Sequence, residues 1–171
     1  MGVMTSLADR TIAALRAEHD TTTAIADGLS DAQLSGPSGA ADWTVADVLS
    51  HLGSGAEITL AGLQVALGTR EAPAEDFNQS VWDRWIAMSP GQQRDGFVAH
   101  DATLVAAFEV LEQTRRESLE LHVGFAPAPL SVATFGGLRL NESVQHGRDI
   151  RVSVDAAAGD GQRRAVRARV G

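Results

Sequence analysis

Glu142 and His146 are the residues whose types and spacing most directly suggest chemistry. Four positions apart on a helix, they share one face, with β-carbons about 5–6 Å from each other. A carboxylate and an imidazole placed in this way can bind one metal ion together, or they can form an ordinary side-chain hydrogen bond. The pair alone favours the hydrogen bond, because such pairs are common on helices.

A second histidine, His51, strengthens the hypothesis of a metal site. It lies three residues after Val48 and seven before Ile58, so it points towards the interior of a helical bundle. Two imidazoles and one carboxylate from different helices can converge in a bundle core. Such a set leaves a coordination position open, which is typical of catalytic metal sites. The periodicity alone favours a metal site and ordinary core histidines equally.

Small residues directly after His51 form a candidate pocket. Gly53, Ser54 and Gly55 can leave room for a ligand above the metal, or they can allow two helices to pack closely. The two interpretations carry equal weight. The run is not the nucleophile turn of an α/β-hydrolase, because it lies inside a helical pattern and no strand precedes it.

Two aspartates are candidates for orienting the imidazoles through hydrogen bonds. Asp47 precedes His51 by one turn, and Asp149 follows His146 by three residues. Carboxylates next to ligand histidines commonly fix the orientation and the tautomer of the ring. For Asp47 we favour the alternative role of a helix cap, whereas for Asp149 a surface salt bridge is equally favoured.

The remaining histidines are weaker candidates. His19 lies on the apolar stripe of the first helix and can face the pocket as a general base or substrate contact, although a hydrogen-bonded core histidine is the more frequent case. His100 and His122 have no partner pattern, and we expect both at the surface. Trp82 and Arg84 are placed at the pocket mouth as a further hypothesis.

The composition limits both the architecture and the partners. The 171 residues suit one domain, and 44% hydrophobic residues are enough for a sizeable core. The chain has no cysteine, so disulfides and thiolate ligands are excluded and any metal must be bound by nitrogen and oxygen. The net charge of −8 repels phosphate backbones and anionic lipids, which argues against nucleic acid as a partner.

The sequence carries no pattern typical of export or membrane insertion. Residues 1–7 lack the basic and apolar regions of a signal peptide. The apolar stretches are shorter than the roughly 20 residues that a membrane span requires. We therefore expect a cytoplasmic protein with no membrane partner.

Helical periodicity covers most of the chain and predicts an all-α four-helix bundle. A short extra helix around residues 81–86 precedes the third long helix, and the glycines and prolines of residues 124–137 predict a long loop. We expect one bundle domain over residues 1–158 and an Arg-rich tail over residues 159–171 that is a frayed helix or disordered. The four long helices are predicted at about residues 6–29, 44–67, 91–123 and 138–157.

Capping residues mark the start of two helices. Thr44 is a good N-cap, and Asp47, three residues later, forms a short-armed capping box. Trp43, just before this cap, can pack against the first turn of the helix as a hydrophobic staple. Ser89 and Pro90 predict the start of the third long helix, with the proline at the first helical position.

Two stretches resemble the signatures of a known superfamily. Residues 42–52, Asp-Trp-Thr-Val-Ala-Asp-Val-Leu-Ser-His-Leu, resemble the second-helix signature of DinB-like proteins, which is a tryptophan, a helix start, an apolar pair and His-Leu. Residues 142–150 match the second signature, Glu-x-x-x-His followed three residues later by aspartate. Within the superfamily, the chain more closely resembles the N-terminal domain of mycothiol-dependent maleylpyruvate isomerases, from the first helix to the fourth.

The resemblance implies a particular bundle and a particular chemistry. The helices would run up-down-down-up, and a divalent metal, usually zinc, would be bound by His51, Glu142 and His146. A low-molecular-weight thiol such as mycothiol would be activated at the metal to act on a small-molecule substrate. A homodimer is compatible with the family.

Three functions follow as alternatives. The first is a thiol-dependent transferase or isomerase-like enzyme, the second a non-catalytic bundle that binds a metal, a small ligand or a partner helix, and the third a hydrolase that uses metal-activated water. Full maleylpyruvate isomerases carry a C-terminal domain that contributes to the active site, and the tail from Gly159 is too short and too polar to replace it. We therefore expect S-transfer or related chemistry rather than maleylpyruvate isomerisation itself.

Overall fold

Seven helices and two short strands make up the part of the chain described by the computed structural model, which covers the backbone of residues 5–170 and the side chains of residues 5–156. The helices are α1 (Leu7–Asp27), α2 (Asp31–Leu34), α3 (Val45–Ala66), α4 (Phe77–Ile86), α5 (Pro90–Glu109), α6 (Gln113–Ser118) and α7 (Val132–Val170). The strands β1 (Glu120–Leu121) and β2 (Leu130–Ser131) pair antiparallel. The long helices α1, α3, α5 and α7 form the bundle.

Contacts between neighbouring long helices fix their directions. Helices α3 and α7 are antiparallel, α1 and α5 are antiparallel, and α1 and α7 are parallel, so α3 and α5 must also be parallel. This is the up-down-down-up arrangement, and residues 67–89 cross the length of the bundle to connect α3 to α5. The contacts are His51–Glu142 and Gly62–Phe135 for α3 and α7, His19–Asp101 and Arg16–Glu109 for α1 and α5, and Leu15–Gly136 and Thr22–Gly147 for α1 and α7.

A buried polar layer separates two apolar clusters of the core. Asp101 of α5 accepts hydrogen bonds from His19 Nδ1 of α1 and from Arg139 Nη2 of α7, both at 2.8 Å. The same Arg139 nitrogen donates to the carbonyl oxygen of Leu52 in α3 at 2.9 Å. One network therefore joins all four long helices. On α5 the flanking apolar residues are Phe97 on one side and Leu104, Val105 and Phe108 on the other.

Helix α4 is anchored by a tryptophan that fits into a hollow between α3 and α5. Trp85 is buried, and its indole Nε1 donates to Glu57 at 3.0 Å. A β-carbon at Gly53 would overlap the Trp85 ring, and one at Gly96 would lie 2.9 Å from it. For Gly53, the structure therefore shows close packing rather than space for a ligand.

The third long helix is shorter than predicted. The sequence predicts a helix to residue 123, but α5 ends at Glu109 and is followed by α6 and β1. Arg116 accounts for this end, because its Nη2 and Nε donate to the carbonyl oxygens of Glu109 and Leu111 at 2.6 and 2.8 Å. Leu111 and Leu119 are still buried in the core, which explains why the apolar pattern continues past the helix end.

The fourth long helix begins earlier than predicted, at Val132 rather than residue 138. Gly136 and Gly137, which predict a loop, lie inside α7. Gly136 faces α1, where a β-carbon would lie 3.2 Å from Thr11, so the small residue allows the two helices to pack closely. Strands β1 and β2, of two residues each, are too short to show alternation in the sequence.

The backbone of α7 is helical to Val170, past the predicted helix end at about residue 157. The side chains of the predicted Arg-rich tail, residues 159–171, lie outside the described residues. Over the part of the chain that the structure describes, no helix combines the length and the apolar character needed to cross a membrane.

Candidate metal centre

His51, Glu142 and His146 converge where α3 meets α7. The Nε2 atoms of His51 and His146 lie 3.0 and 3.7 Å from Oε2 of Glu142. One candidate ligand atom from each residue lies within 4.8 Å of the other two. The side chains are 40%, 47% and 19% exposed for His51, Glu142 and His146, so a small molecule can reach them. The structure thus brings together the three residues that the sequence singles out.

The chemistry and spacing of these donors fit a divalent ion such as zinc. Zinc binds imidazole nitrogen and carboxylate oxygen at about 2.0–2.2 Å, so two ligands of a tetrahedral site are about 3.4 Å apart. The observed distances of 3.0 and 3.7 Å lie on either side of that value. Two nitrogens and one oxygen would leave at least one coordination position for an exogenous ligand.

The two aspartates near the imidazoles have different roles. Oδ2 of Asp149 lies 3.0 Å from Nδ1 of His146, so Nε2 is the ring nitrogen that faces Glu142. Asp47 instead forms the predicted capping box, in which its carboxylate accepts from the Thr44 amide at 2.9 Å and its own amide donates to the Thr44 hydroxyl. Among the hydrogen bonds of residues 5–156, none joins Asp47 to His51.

Trp43, which the sequence suggests as a hydrophobic staple, lies against both imidazoles. Its ring centroid is 5.7 Å from that of His146, with the planes 19° apart, and 5.3 Å from that of His51. The two imidazoles meet edge to face with centroids 4.7 Å apart. Three aromatic rings therefore form one cluster at the amino end of α3.

Two cavities meet at His51. The larger, about 720 Å³, extends from His51 and Glu142 along α3 and α7 towards the carboxyl end of α3. The smaller, about 320 Å³, lies at the amino end of α3 and is lined by Trp43 and Asp47. The larger cavity has a mainly apolar wall. Its apolar lining includes Ile58, Val65, Phe77, Phe125, Phe135 and Leu138.

The two predicted pocket residues on α3 line different cavities. Ser54 lines the smaller cavity, and its hydroxyl donates to the carbonyl oxygen of His51 at 3.1 Å. Gly55 lines the larger cavity, where a β-carbon would lie 3.1 Å from Nη1 of Arg139. For Gly55, the absence of a side chain therefore leaves space both for the guanidinium and for the cavity.

The structure separates the other candidates. Trp82 lines both cavities, whereas Arg84 lines neither and pairs with Glu57, so its predicted place at the pocket mouth was wrong. His100 is partly exposed, and its Nδ1 lies 3.9 Å from Glu57. His122 is exposed, as predicted, but it also lines the larger cavity.

His19 is buried in the polar layer and lines neither cavity. Burial alone would raise the pKa of its partner Asp101, but the His19 hydrogen bond and the Arg139 charge outweigh it and hold the pKa below its usual value. Arg139 lines the floor of the larger cavity, and its Nε is buried without a hydrogen-bond partner among the described residues.

Asp101 and Arg139 are not among the candidates that the sequence singled out, although the sequence contains a signal for each. Asp101 lies on the apolar stripe formed by Phe97 and Leu104, and an acidic residue there needs a buried partner. Arg139 precedes Glu142 by three residues and therefore shares its helix face.

The comparison with known protein families agrees with this geometry. A profile of the mycothiol maleylpyruvate isomerase N-terminal domain family matches residues 15–151, a range that includes all three candidate ligands. The chain belongs to this family. The match confirms the resemblance drawn from the two signatures and covers most of the chain. A comparison with curated proteins finds no match.

Solved structures share the fold. A crystal structure of the mycothiol-dependent maleylpyruvate isomerase has a TM-score of 0.69 at 14% identity, with 86% of this chain and 63% of that chain covered. A crystal structure of a histidine-to-alanine mutant of that isomerase has a TM-score of 0.70, with the same identity and coverage. These similarities confirm the predicted DinB-like bundle, and the match spans 63% of the length of these enzymes.

Proposed function

We propose that this protein is a divalent-metal-dependent enzyme, with zinc the favoured ion, that activates a low-molecular-weight thiol such as mycothiol. The reaction would be S-transfer to, or thiol-assisted isomerisation of, a small-molecule substrate. The observation that carries the proposal is the convergence of His51, Glu142 and His146 beside a cavity of about 720 Å³. Membership of a family named for a mycothiol isomerase supports the choice of a thiol.

A divalent ion bound by these residues would lower the pKa of a bound thiol and so provide a thiolate near neutral pH. The protein's own residues would orient the ligands and the substrate. Asp149 holds the His146 ring with Nε2 towards Glu142. The apolar wall of the larger cavity suits the body of an electrophile, and its volume lies within the roughly 300–1,000 Å³ typical of small-molecule sites. The chain has no cysteine to compete with the exogenous thiol.

Metal content is the first test. We expect protein purified without added metal to contain about one divalent ion per chain by elemental mass spectrometry, in keeping with a single three-residue ligand set. His51→Ala and Glu142→Ala should each lose most of it. His100→Ala is the matched control, because His100 is a partly exposed histidine outside the cluster, and it should retain the parent content.

Thiol turnover is the second test. Mycothiol and other small thiols are incubated with a panel of electrophiles, and thiol loss and product are measured by chromatography. We expect metal-dependent thiol consumption that disappears in His51→Ala and persists in His100→Ala. Full turnover after metal removal would contradict the proposal. Product without any thiol would indicate a metal-dependent hydrolase, and metal binding without turnover a non-catalytic bundle.

A further inference from the structure

We infer that Trp43 is a positioning residue for the metal centre: its indole orients the imidazoles of His51 and His146 and covers them at the amino end of α3. The inference rests on the proposed function, because it takes the two histidines as metal ligands. It concerns the protein's own aromatic contacts.

The contacts of the two imidazoles explain why an additional support is needed. Asp149 fixes the His146 ring through Nδ1. Among the hydrogen bonds of residues 5–156, His51 has Glu142 as its side-chain partner and no comparable carboxylate on its other nitrogen. The aromatic contacts with Trp43 and His146 are therefore what remains to set the plane of the His51 ring. All three centroid distances fall within the about 4.5–7 Å over which aromatic rings attract each other.

The backbone around Trp43 holds the indole in place. Asp42, directly before it, has a φ of 64°, a left-handed conformation that aspartate tolerates in tight turns. The amide and the hydroxyl of Ser38 both donate to the carbonyl oxygen of Trp43 at 2.9 Å, and Pro37 pairs with Thr44 as an isolated bridge. The tryptophan is therefore held in a loop, residues 37–44, that these hydrogen bonds close directly before the first turn of α3.

The same loop contacts the residue that orients His146. The amide of Gly39 donates to the carbonyl oxygen of Asp149 at 2.9 Å. A β-carbon at Gly39 would lie 2.9 Å from the α-carbon of Asp149, so only glycine allows this approach. One loop thus places Trp43 against both rings and packs against the helix turn of Asp149.

Trp43 and the larger cavity lie on different sides of the centre. The indole is 37% exposed and lies at the amino end of α3, whereas the larger cavity extends from His51 towards Val65 at the other end. A thiol or substrate in the larger cavity, which His51 and Glu142 line and Trp43 does not, would therefore reach the ligands from the side away from the indole.

Cobalt binding to metal-free protein tests the role of the ring. The affinity for Co²⁺ is measured by competition with a chelator, and the visible absorption spectrum reports the ligand geometry. We expect Trp43→Ala and Trp43→Leu to weaken binding about 10-fold, the lower end of the range for residues that orient ligands, and to alter the spectrum. Trp43→Phe, which keeps an aromatic ring, should stay within about threefold of the parent.

Trp82→Phe is the matched control, because Trp82 lines both cavities but is not stacked on either imidazole, and its Co²⁺ affinity should equal that of the parent. In the parent, Co²⁺ should quench tryptophan emission, and this quenching should shrink in Trp43→Phe but not in Trp82→Phe. Parent-like affinity in Trp43→Ala and Trp43→Leu, or equal weakening in Trp43→Phe, would overturn the inference. A parent that binds no Co²⁺ would instead overturn the proposed function.

Discussion

Asp149 is the residue through which the protein sets the orientation of His146. Its carboxylate lies 3.0 Å from Nδ1, while the opposite ring nitrogen faces Glu142. A carboxylate in this position also makes the imidazole a stronger metal ligand. We expect Asp149→Asn to weaken zinc binding about 10- to 100-fold, measured by chelator competition on the purified protein.

Asp47→Asn provides the matched control for that prediction. It also removes a carboxylate close to a candidate ligand, but this carboxylate caps α3. We expect a loss of about 1 kcal/mol in the free energy of unfolding with zinc affinity unchanged. An equal loss of zinc affinity in both variants would contradict a specific role for Asp149.

Asp101 gives the stability of the protein a defined pH dependence. Its folded-state pKa is below the unfolded value of about 3.9, so its contribution is present above that pH and is lost as the pH falls through the folded-state pKa. Asp101→Asn leaves Arg139 buried without its carboxylate, which costs about 3–5 kcal/mol at pH 7. In urea unfolding, the difference in free energy of unfolding between the parent and Asp101→Asn should become smaller below about pH 4.

The control is Asp95→Asn, on the same helix but with a side chain that is 70% exposed. Its free energy of unfolding should stay within about 0.5 kcal/mol of the parent at each pH, as for other surface substitutions. The buried network would be contradicted if Asp95→Asn and Asp101→Asn lowered the free energy of unfolding by similar amounts. It would also be contradicted if the difference in free energy of unfolding between the parent and Asp101→Asn stayed constant down to pH 2.

The role of a residue was predictable where its spacing from another residue places both on one helix face. It was not predictable where the contact forms only between helices that are distant in sequence. Glu142 and His146 share a helix face by their spacing alone, and the two signatures add His51. The partnership of His19 with Asp101 joins helices whose residues are 82 positions apart, and no local pattern records such a contact. The contact of Trp43 with His146 depends likewise on how the loop before α3 meets α7.

At the level of the helices, the packing of Trp85 between α3 and α5 predicts that Gly53 cannot be replaced without loss of stability. A β-carbon at Gly53 would overlap the indole of this buried residue. We expect Gly53→Ala to lower the free energy of unfolding by about 1–3 kcal/mol, the usual cost of overpacking a core, despite the higher helix propensity of alanine. Thermal or urea unfolding of the metal-free protein measures this.

Gly62→Ala on the same helix is the comparison. Its β-carbon would lie 3.4 Å from Phe135, an ordinary packing distance, so the gain in helix propensity should prevail. We expect Gly62→Ala to leave the free energy of unfolding unchanged or to raise it by up to about 1 kcal/mol. If both substitutions destabilised the protein equally, the cause would be a general intolerance of alanine in α3 and not the tryptophan hollow.

The helix starts that carry a capping residue were better predicted than the end of α5. The capping box at Thr44 and the N-cap at Ser89 are present as the sequence suggests, because a cap is made by neighbouring residues. The end of α5 at Glu109 has no glycine or proline to mark it and depends on Arg116, which folds back onto the last carbonyl groups. The apolar pattern continues past that end because Leu111 remains in the core.

For the whole molecule, metal binding and folding should be coupled. The candidate ligands His51 and Glu142 are 91 positions apart, so the set exists only in the folded chain. We expect zinc at 100 times its dissociation constant to add about 2.7 kcal/mol, which raises the midpoint of thermal unfolding by about 5–10 °C. His51→Ala should show no such shift, and a parent midpoint unaffected by zinc would contradict the coupling.

The family and the four-helix architecture were predictable from the sequence, since both signatures and the long periodic helices lie within it. A single domain over residues 1–158, a homodimer and a cytoplasmic location stay predictions. The crossing of residues 67–89 between parallel helices is implied by the family rather than by the residues, because no local pattern encodes the direction of α5 relative to α3.

The polar layer has a consequence for how the four helices line up lengthwise. His19, Asp101, Arg139 and the carbonyl of Leu52 come from four different helices, so a slip of any one helix by a turn, about 5.4 Å, would break the network. Purely apolar seams would tolerate such slips far better. The network therefore fixes the lengthwise positions of the four helices. Since α3 and α7 supply the imidazoles and the carboxylate, it also keeps those groups at the same height along the bundle.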